Sequence, residues 1–97
     1  MTIKHTNDGA KHVFAVEGRL DTSTAPQLEA ELGDLAGVED LTFDFKDLAY
    51  ISSVGLRVLL KCQKTMGREK PMVVTNVNET IMEVFDITGF SDILTIK

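Results

Sequence analysis

Between Leu41 and Met66 the spacing of the apolar residues changes once, and it changes at a pair of serines. Leu41-Thr-Phe-Asp-Phe45 alternates apolar and polar residues with period two, the pattern of a half-buried strand. After the serines, Leu56, Leu59, Leu60, Cys62 and Met66 recur at helical spacing, with no proline before Pro71. The centre of the chain is therefore a strand leading into a helix. Ser52 or Ser53 falls where an N-cap belongs, its hydroxyl able to accept from a backbone N–H that has no partner inside the helix. The tract around the serines is loop-like yet apolar, with Tyr50, Ile51, Val54 and Leu56, and reads as a contact surface. Gly55 sits in the first helical turn, where glycine costs roughly 1 kcal/mol against alanine. Close approach of another backbone would explain it.

The flanking segments extend the alternation. Residues 2–8 and 11–17 read as two strands joined at Asn7-Asp8-Gly9, a strong hairpin signal. His12, Phe14 and Val16 cannot share a face with Val13 and Ala15, so one of the two sets points inward. Gly18-Arg19-Leu20-Asp21 closes the second strand. A helix follows from near Thr24, where Thr24 and Gln27 have the form of a capping box and Pro26 fits the first turn. Its expected buried stripe is Leu28, Leu32 and Leu35, with Glu29, Glu31 and Asp34 toward water and acids in the first turn. The serine-led helix runs to about Met66 and ends at Gly67. Met72-Val-Val-Thr75 is a short strand. Asn78 caps a third helix with Ile81, Val84 and Phe85 inward and Gly89 at its end, and Ile93–Ile96 forms a last strand. Strand–helix–strand alternation calls for parallel pairs, here in a mixed sheet with helices packed on it.

Ninety-seven residues suffice for one small domain, expected to span 1–97. The net charge of -5 argues against nucleic acid and against adhesion to an anionic membrane, both of which are bound through Lys and Arg. No apolar run approaches the ~20 residues that span a bilayer, and Met1-Thr-Ile-Lys-His5 lacks the apolar core of a signal peptide. The single cysteine, Cys62, cannot form an internal disulfide and lies on an apolar stripe, which fits an inert buried thiol in a reducing compartment. A soluble cytoplasmic protein is expected.

The residue inventory speaks against catalysis. Neither serine sits in a Gly-x-Ser-x-Gly elbow, and the only two histidines, His5 and His12, belong to the first hairpin. Those histidines have no Cys, Asp or Glu clustered at ligand spacing, so they read as surface strand positions and no metal or cofactor is expected. There is no glycine-rich phosphate loop with a lysine.

Tyr50-Ile-Ser-Ser-Val-Gly-Leu-Arg57, preceded by the Phe-Asp-Phe strand, resembles the signature of STAS domains, and in particular of the anti-sigma factor antagonists of bacterial partner-switching systems. Gly18-Arg-Leu-Asp21 and Phe85-Asp-Ile-Thr-Gly-Phe90 match two further family elements, so the resemblance covers nearly the whole chain. It implies a STAS fold: an α/β mixed sheet of about four to five strands, about three to four helices mainly on one face, and the serine loop at one end. In the family the serine two residues before the glycine accepts a phosphate from a cognate anti-sigma factor that is also a serine kinase. Carried across, that is Ser53, with Ser52 the competing acceptor. A serine phosphatase would reset the switch. The resemblance further implies a partner surface from Asp21, Thr24, Ile51, Ser52, Val54, Gly55, Leu56 and Arg57. The chain departs from the common Asp-Ser-Ser-Gly pattern: Ser52 stands where the acid would be, and Val54 replaces the second serine. The alternative reading is a constitutive STAS accessory subunit of a lipid-trafficking ABC transporter, which is not phosphorylated.

Overall fold

The computed structural model describes residues 1–97. Strands β1 (Thr2–Asp8) and β2 (Lys11–Leu20) form the expected hairpin, with Asp8 opposite Lys11 and Gly9 at φ +63°. Helix α1 (Ala25–Leu32) leads to β3 (Asp40–Asp44), which pairs parallel to β2. Next come β4 (Leu48–Ile51), α2 (Ser53–Met66), β5 (Met72–Thr75) and α3 (Glu79–Thr88). A 3-10 turn (Phe90–Asp92) precedes the two-residue β6 (Thr95–Ile96). The sheet runs β1-β2-β3-β5-β6, antiparallel only at β1, and β4 pairs with the far end of β2. Six strands thus replace the expected four to five; the extra one is β4, in a tract read as loop.

One face of the sheet is dry. The inward set on β2 is Phe14 and Val16, continued by Leu41 and Phe43 on β3 and by Met72 and Val74 on β5. Alternate residues such as Val13, Thr42 and Val73 are only half-buried. Leu28 of α1, Leu59 of α2 and Ile81 and Phe85 of α3 join the same apolar cluster, so the helices cover that one face. Every buried side chain in the molecule is apolar. Full burial of a leucine or phenylalanine is worth roughly 1.5–3 kcal/mol; the one buried side-chain polar atom without a partner is Gln63 Oε1. One rung crosses the inner face: His5, Phe14, Phe43, Val74 and Ile96 lie in register on β1, β2, β3, β5 and β6.

Several local expectations are corrected. Thr24 makes no side-chain cap and α1 has no acid in its first turn. The Thr24 hydroxyl instead donates to Arg19 O at 2.8 Å and accepts from Asp21 N–H at 2.9 Å. Leu35 is buried but lies beyond α1, which ends at Gly33; the chain reaches Leu35 through a turn that puts Leu35 itself at φ +60°. The last strand is shortened because the 3-10 turn after Gly89 carries the chain until Leu94 drops into the core. The caps at Asn78 and Gly89 are as expected: Asn78 Oδ1 accepts from Ile81 N–H at 2.9 Å and Gly89 is left-handed at φ +81°. No helix is long and apolar enough to cross a membrane.

Candidate functional site

The serine loop is built where β2 and β4 end side by side. Between Ala15, opposite Asp44, and Arg19, opposite Tyr50, β2 advances four residues while its neighbour advances six. One surplus residue is taken up where the chain turns and the other is a bulge between Leu48 and Tyr50, opposite Gly18 and Arg19. The chain turns at Lys46-Asp47, with Asp44 Oδ1 accepting from Lys46 N–H at 3.0 Å and Asp47 O accepting from Gly18 N–H at 3.0 Å. Bulges bend a strand and re-aim its end, and here the end is the serine pair. The bulge also puts Leu48 and Ile51 both inward, with Ala49 and Tyr50 outward. That spacing erased the alternation by which β4 could have been recognised.

Ser52 is consumed by the architecture. It is the N-cap of α2, half-buried, and its Oγ accepts from Gly55 N–H at 3.3 Å. Its own N–H donates to Leu20 O at 2.9 Å and its carbonyl accepts from Leu56 N–H at 2.9 Å. Ser53 is the first helical residue, and its side chain is exposed and makes no hydrogen bond within the protein. The N–H groups of Ser53 and Val54 precede the first intrahelical bond, so the helix start presents free donors, and no acid lies in that first turn. Arg57, one turn on, is exposed on the same side of α2 as Ser53.

Gly55 explains itself. A Cβ there would stand 2.8 Å from Ile51 Cγ1, 2.9 Å from Leu20 Cγ and 3.0 Å from Leu20 O. The close backbone approach expected from the sequence is that of β2 against the first turn of α2.

Ile51, Gly55 and Leu56 cannot be contact surface. Ile51 and Leu56 are 3% and 6% exposed and Gly55 is buried with them. The inward side of β4 and the underside of α2 put them in the core, where they support the loop from beneath. The outward surface consists of Ser53, Arg57 and, half-exposed, Ser52 and Val54. Tyr50, read from the sequence as part of the apolar contact tract, joins it, together with Arg19, which the sequence does not single out. Tyr50 is 40% exposed, and the Arg19 guanidinium lies over its ring, 4.2 Å from the centroid, a cation–π pair set by their opposition across β2 and β4. Only knowledge of that strand pairing could have brought Arg19 to Tyr50.

The neighbouring loop is organised by Asp21. Its Oδ1 accepts from the Ser23 hydroxyl at 2.7 Å and from Ser23 N–H at 3.0 Å, and Arg19 Nε lies 3.4 Å from Oδ2. These bonds, the Ser23 hydroxyl first, outweigh the opposing desolvation and hold the carboxyl below its ordinary value. Asp21 O also accepts from Ala25 N–H at 2.8 Å, so the residue starts α1 in place of a Thr24 cap. The structure therefore gathers Asp21, Thr24, Ser52, Ser53, Val54 and Arg57 at one end of the sheet. From the opposite side, Asn78 Nδ2 donates to Leu48 O at 2.7 Å and pins the start of α3 to β4.

Comparison with known proteins agrees with this architecture. The STAS domain family model matches residues 2–97. The chain is 27% identical over 97 residues to an anti-sigma-B factor antagonist of Staphylococcus aureus (strain NCTC 8325 / PS 47), covering 97% of this chain and 90% of that protein. It is 32% identical over 82 residues to the anti-sigma-B factor antagonist of Staphylococcus epidermidis, covering 81% of this chain and 76% of that one. Among solved structures, an anti-sigma factor antagonist from Mycobacterium paratuberculosis superposes with a TM-score of 0.87 at 24% identity, over 98% of this chain and 83% of that one. The unphosphorylated form of the anti-sigma factor antagonist SpoIIAA superposes at 0.84 with 17% identity, over 99% and 88% of the two chains. A fold matched along its whole length and relatives that share one description lead to the same place: the chain belongs to the STAS domain family, among the anti-sigma factor antagonists.

Proposed function

We propose that this protein, acting as a single STAS domain over residues 1–97, binds an anti-sigma factor that is also a serine kinase, and that phosphorylation of Ser53 reverses the binding. The observation that carries this reading is the division of labour between the serines. Ser52 has its hydroxyl committed to Gly55 N–H, whereas Ser53 offers an exposed, unbonded hydroxyl. The docking face is Ser53, Val54, Arg57 and the Asp21–Thr24 loop, with Ile51, Gly55 and Leu56 setting its height from below. SpoIIAA, whose fold this chain shares, has been solved in a phosphorylated form, which supports a modifiable member of the fold.

The physical effect of the modification follows from its position. A phosphoryl group adds about -1.5 to -2 charges and three strong acceptors. At the start of α2 the free N–H groups and Arg57 accommodate it, so the helix survives. What changes is the outward surface, which turns from neutral to anionic and strongly hydrated. A partner seated over it would have to bury that charge unpaired, at a cost of several kcal/mol. A loss of about 3 kcal/mol already weakens a complex more than a hundredfold. Acting on the far side of the cycle, a serine phosphatase would restore the binding form.

The test is incubation with ATP and the candidate anti-sigma kinases of the source organism, followed by intact-mass measurement and peptide mapping. One phosphate on Ser53 is expected, none in Ser53→Ala, and partner affinity at least about tenfold weaker in Ser53→Asp. Uptake of a phosphate by Ser53→Ala would overturn the site. Unchanged affinity after phosphorylation would overturn the switch and leave a constitutive binding subunit.

A further inference from the structure

Tyr50 stands on the outward side of β4, a few residues before Ser53, and the residue opposite it on β2 is Arg19. It is the only tyrosine of a chain that has no tryptophan. We propose that Arg19 and Tyr50 are the anchor of the docking face. The partner meets them with a carboxylate for the free edge of the guanidinium and an apolar side chain against the phenol ring. The inference rests on the docking reading given above, and adds to it the residues that hold the partner and the chemistry they select.

Three observations carry it. The first is side-chain type. Apart from Arg57, the other outward or half-exposed side chains at the serine loop are small: Ser23, Thr24, Ser52, Ser53 and Val54. The residues that dominate binding at protein interfaces are enriched in tyrosine and arginine and poor in serine, threonine and valine. Tyr50 is 40% exposed, so its ring has surface left to bury.

The second is preorganisation. The guanidinium carbon lies 4.2 Å from the ring centroid, and Arg19 Nε donates to Asp21 Oδ2 at 3.4 Å. Asp21 Oδ1 is held in turn by the Ser23 hydroxyl at 2.7 Å. The next residues on the two strands, Leu20 and Ile51, are opposite each other in the core and fix the pair from beneath. A long side chain held in this way has less rotamer freedom to lose on docking.

The third is charge. Asp21 reaches Nε and not the terminal nitrogens, and the Arg19 side chain is 63% exposed. The terminal nitrogens are therefore an open fork, which fits one carboxylate through two parallel hydrogen bonds. The same placement connects the anchor to the switch. Three peptide units separate Tyr50 from Ser53, a span of at most about 11 Å. A carboxylate docked at Arg19 would face the new negative charge of a phosphoserine, and like charges set together in an interface oppose binding.

The experiment uses the full chain and the purified anti-sigma kinase that binds it in the preceding test. Affinity is measured by biolayer interferometry for the wild type, Tyr50→Ala, Tyr50→Phe, Arg19→Gln and Arg19→Lys, each checked for an unchanged urea midpoint. It should fall more than about tenfold in Tyr50→Ala and in Arg19→Gln, and less than about threefold in Tyr50→Phe, which keeps the ring. Arg19→Lys keeps the charge and loses the fork, so it should fall between. Raising NaCl from about 0.05 M to about 0.5 M should weaken the wild type more than Arg19→Gln; equal salt dependence would overturn the carboxylate. Nitration with tetranitromethane needs only wild-type protein and stands even if a variant unfolds. Peptide mapping should find Tyr50 nitrated in the free chain and protected in the complex. Equal nitration in both would overturn the anchor. So would wild-type affinity in folded Tyr50→Ala and Arg19→Gln, and if phosphorylation of Ser53 still released the partner, the switch would stand without it. Absence of binding by the wild type to every candidate kinase would overturn the docking reading and the anchor together.

Discussion

The tightest test of the serine-loop architecture is Gly55→Ala, because two opposing effects predict opposite signs. On helix propensity alone, alanine in place of glycine stabilises a helix by up to about 1 kcal/mol. Against it stands the space. The added methyl would meet Ile51 Cγ1 at 2.8 Å, Leu20 Cγ at 2.9 Å and Leu20 O at 3.0 Å. Optimal carbon contacts are at about 3.5–4.0 Å, so the methyl is too close to both carbons by more than half an ångström, and the oxygen crowds it from a third side. Neither side chain can swing away, since Leu20 is 0% and Ile51 3% exposed. The carbonyl is no freer, because Leu20 O accepts from Ser52 N–H at 2.9 Å. Overpacking of a closed core costs typically about 1–3 kcal/mol and occasionally more. The net expectation is a destabilisation of about 1–2 kcal/mol, with the first turn of α2 pushed off β2. Urea unfolding should show a lower midpoint at unchanged slope, and the melting temperature should fall by about 4–8 °C per kcal/mol. A variant as stable as the parent, or more stable, would show that α2 is not seated against β2 in this way.

Other expectations follow from the same contacts. Ser52→Ala should cost about 1 kcal/mol in urea through loss of the cap to Gly55 N–H, whereas Ser53→Ala should stay within about 0.5 kcal/mol; equal losses would mean the cap has been misassigned. Asp21 has a folded-state pKa below its reference of 3.8, so its contribution is present above that value and lost as pH falls through the lowered one. Asp21→Asn should therefore flatten the acid limb of stability below about pH 4 and leave its shape near neutrality unchanged, which an acid titration followed by circular dichroism will show. Burial pushes the Cys62 thiol up to about 11, against the opposing pull of Lys61. Its alkylation by iodoacetamide at about pH 8 should be roughly a hundredfold slower in the native protein than in urea; equal rates would place the thiol at the surface.

How far the sequence could be read depended on whether each residue's partner was local. Asn7-Asp8-Gly9, Gly67, Asn78 and Gly89 act within their own turn, and all four signals landed where expected. Thr24 had the form of a cap, but its hydroxyl found Arg19 O, five residues back on β2, a partner that exists only once the strand is in place. Strand β4 is recognisable only through its pairing with β2, because the bulge removes its alternation. The same hidden strand turned Ile51 and Leu56 from apparent surface into core: apolar residues flanking exposed serines look alike from either side. The choice between Ser52 and Ser53 was closed to sequence for a similar reason. Either can cap, and only the bond from Gly55 N–H separates them.

The two margins of the sheet differ in a way that bears on how the protein behaves when concentrated. At one margin β6 is two residues long, too short to recruit another chain. At the other, β1 is a seven-residue edge, Thr2–Asp8, whose outward-facing backbone groups are unpaired and form a template for strand addition. Lys4 and Asp8 interrupt that edge with charge, and its exposed residues carry little apolar surface. A copy laid alongside would have to dehydrate those charges without burying a compensating core. Colloidal stability thus rests on a few polar side chains of β1, and replacing Lys4 and Thr6 with valine would be expected to turn a well-behaved solution into one that forms fibres or gels.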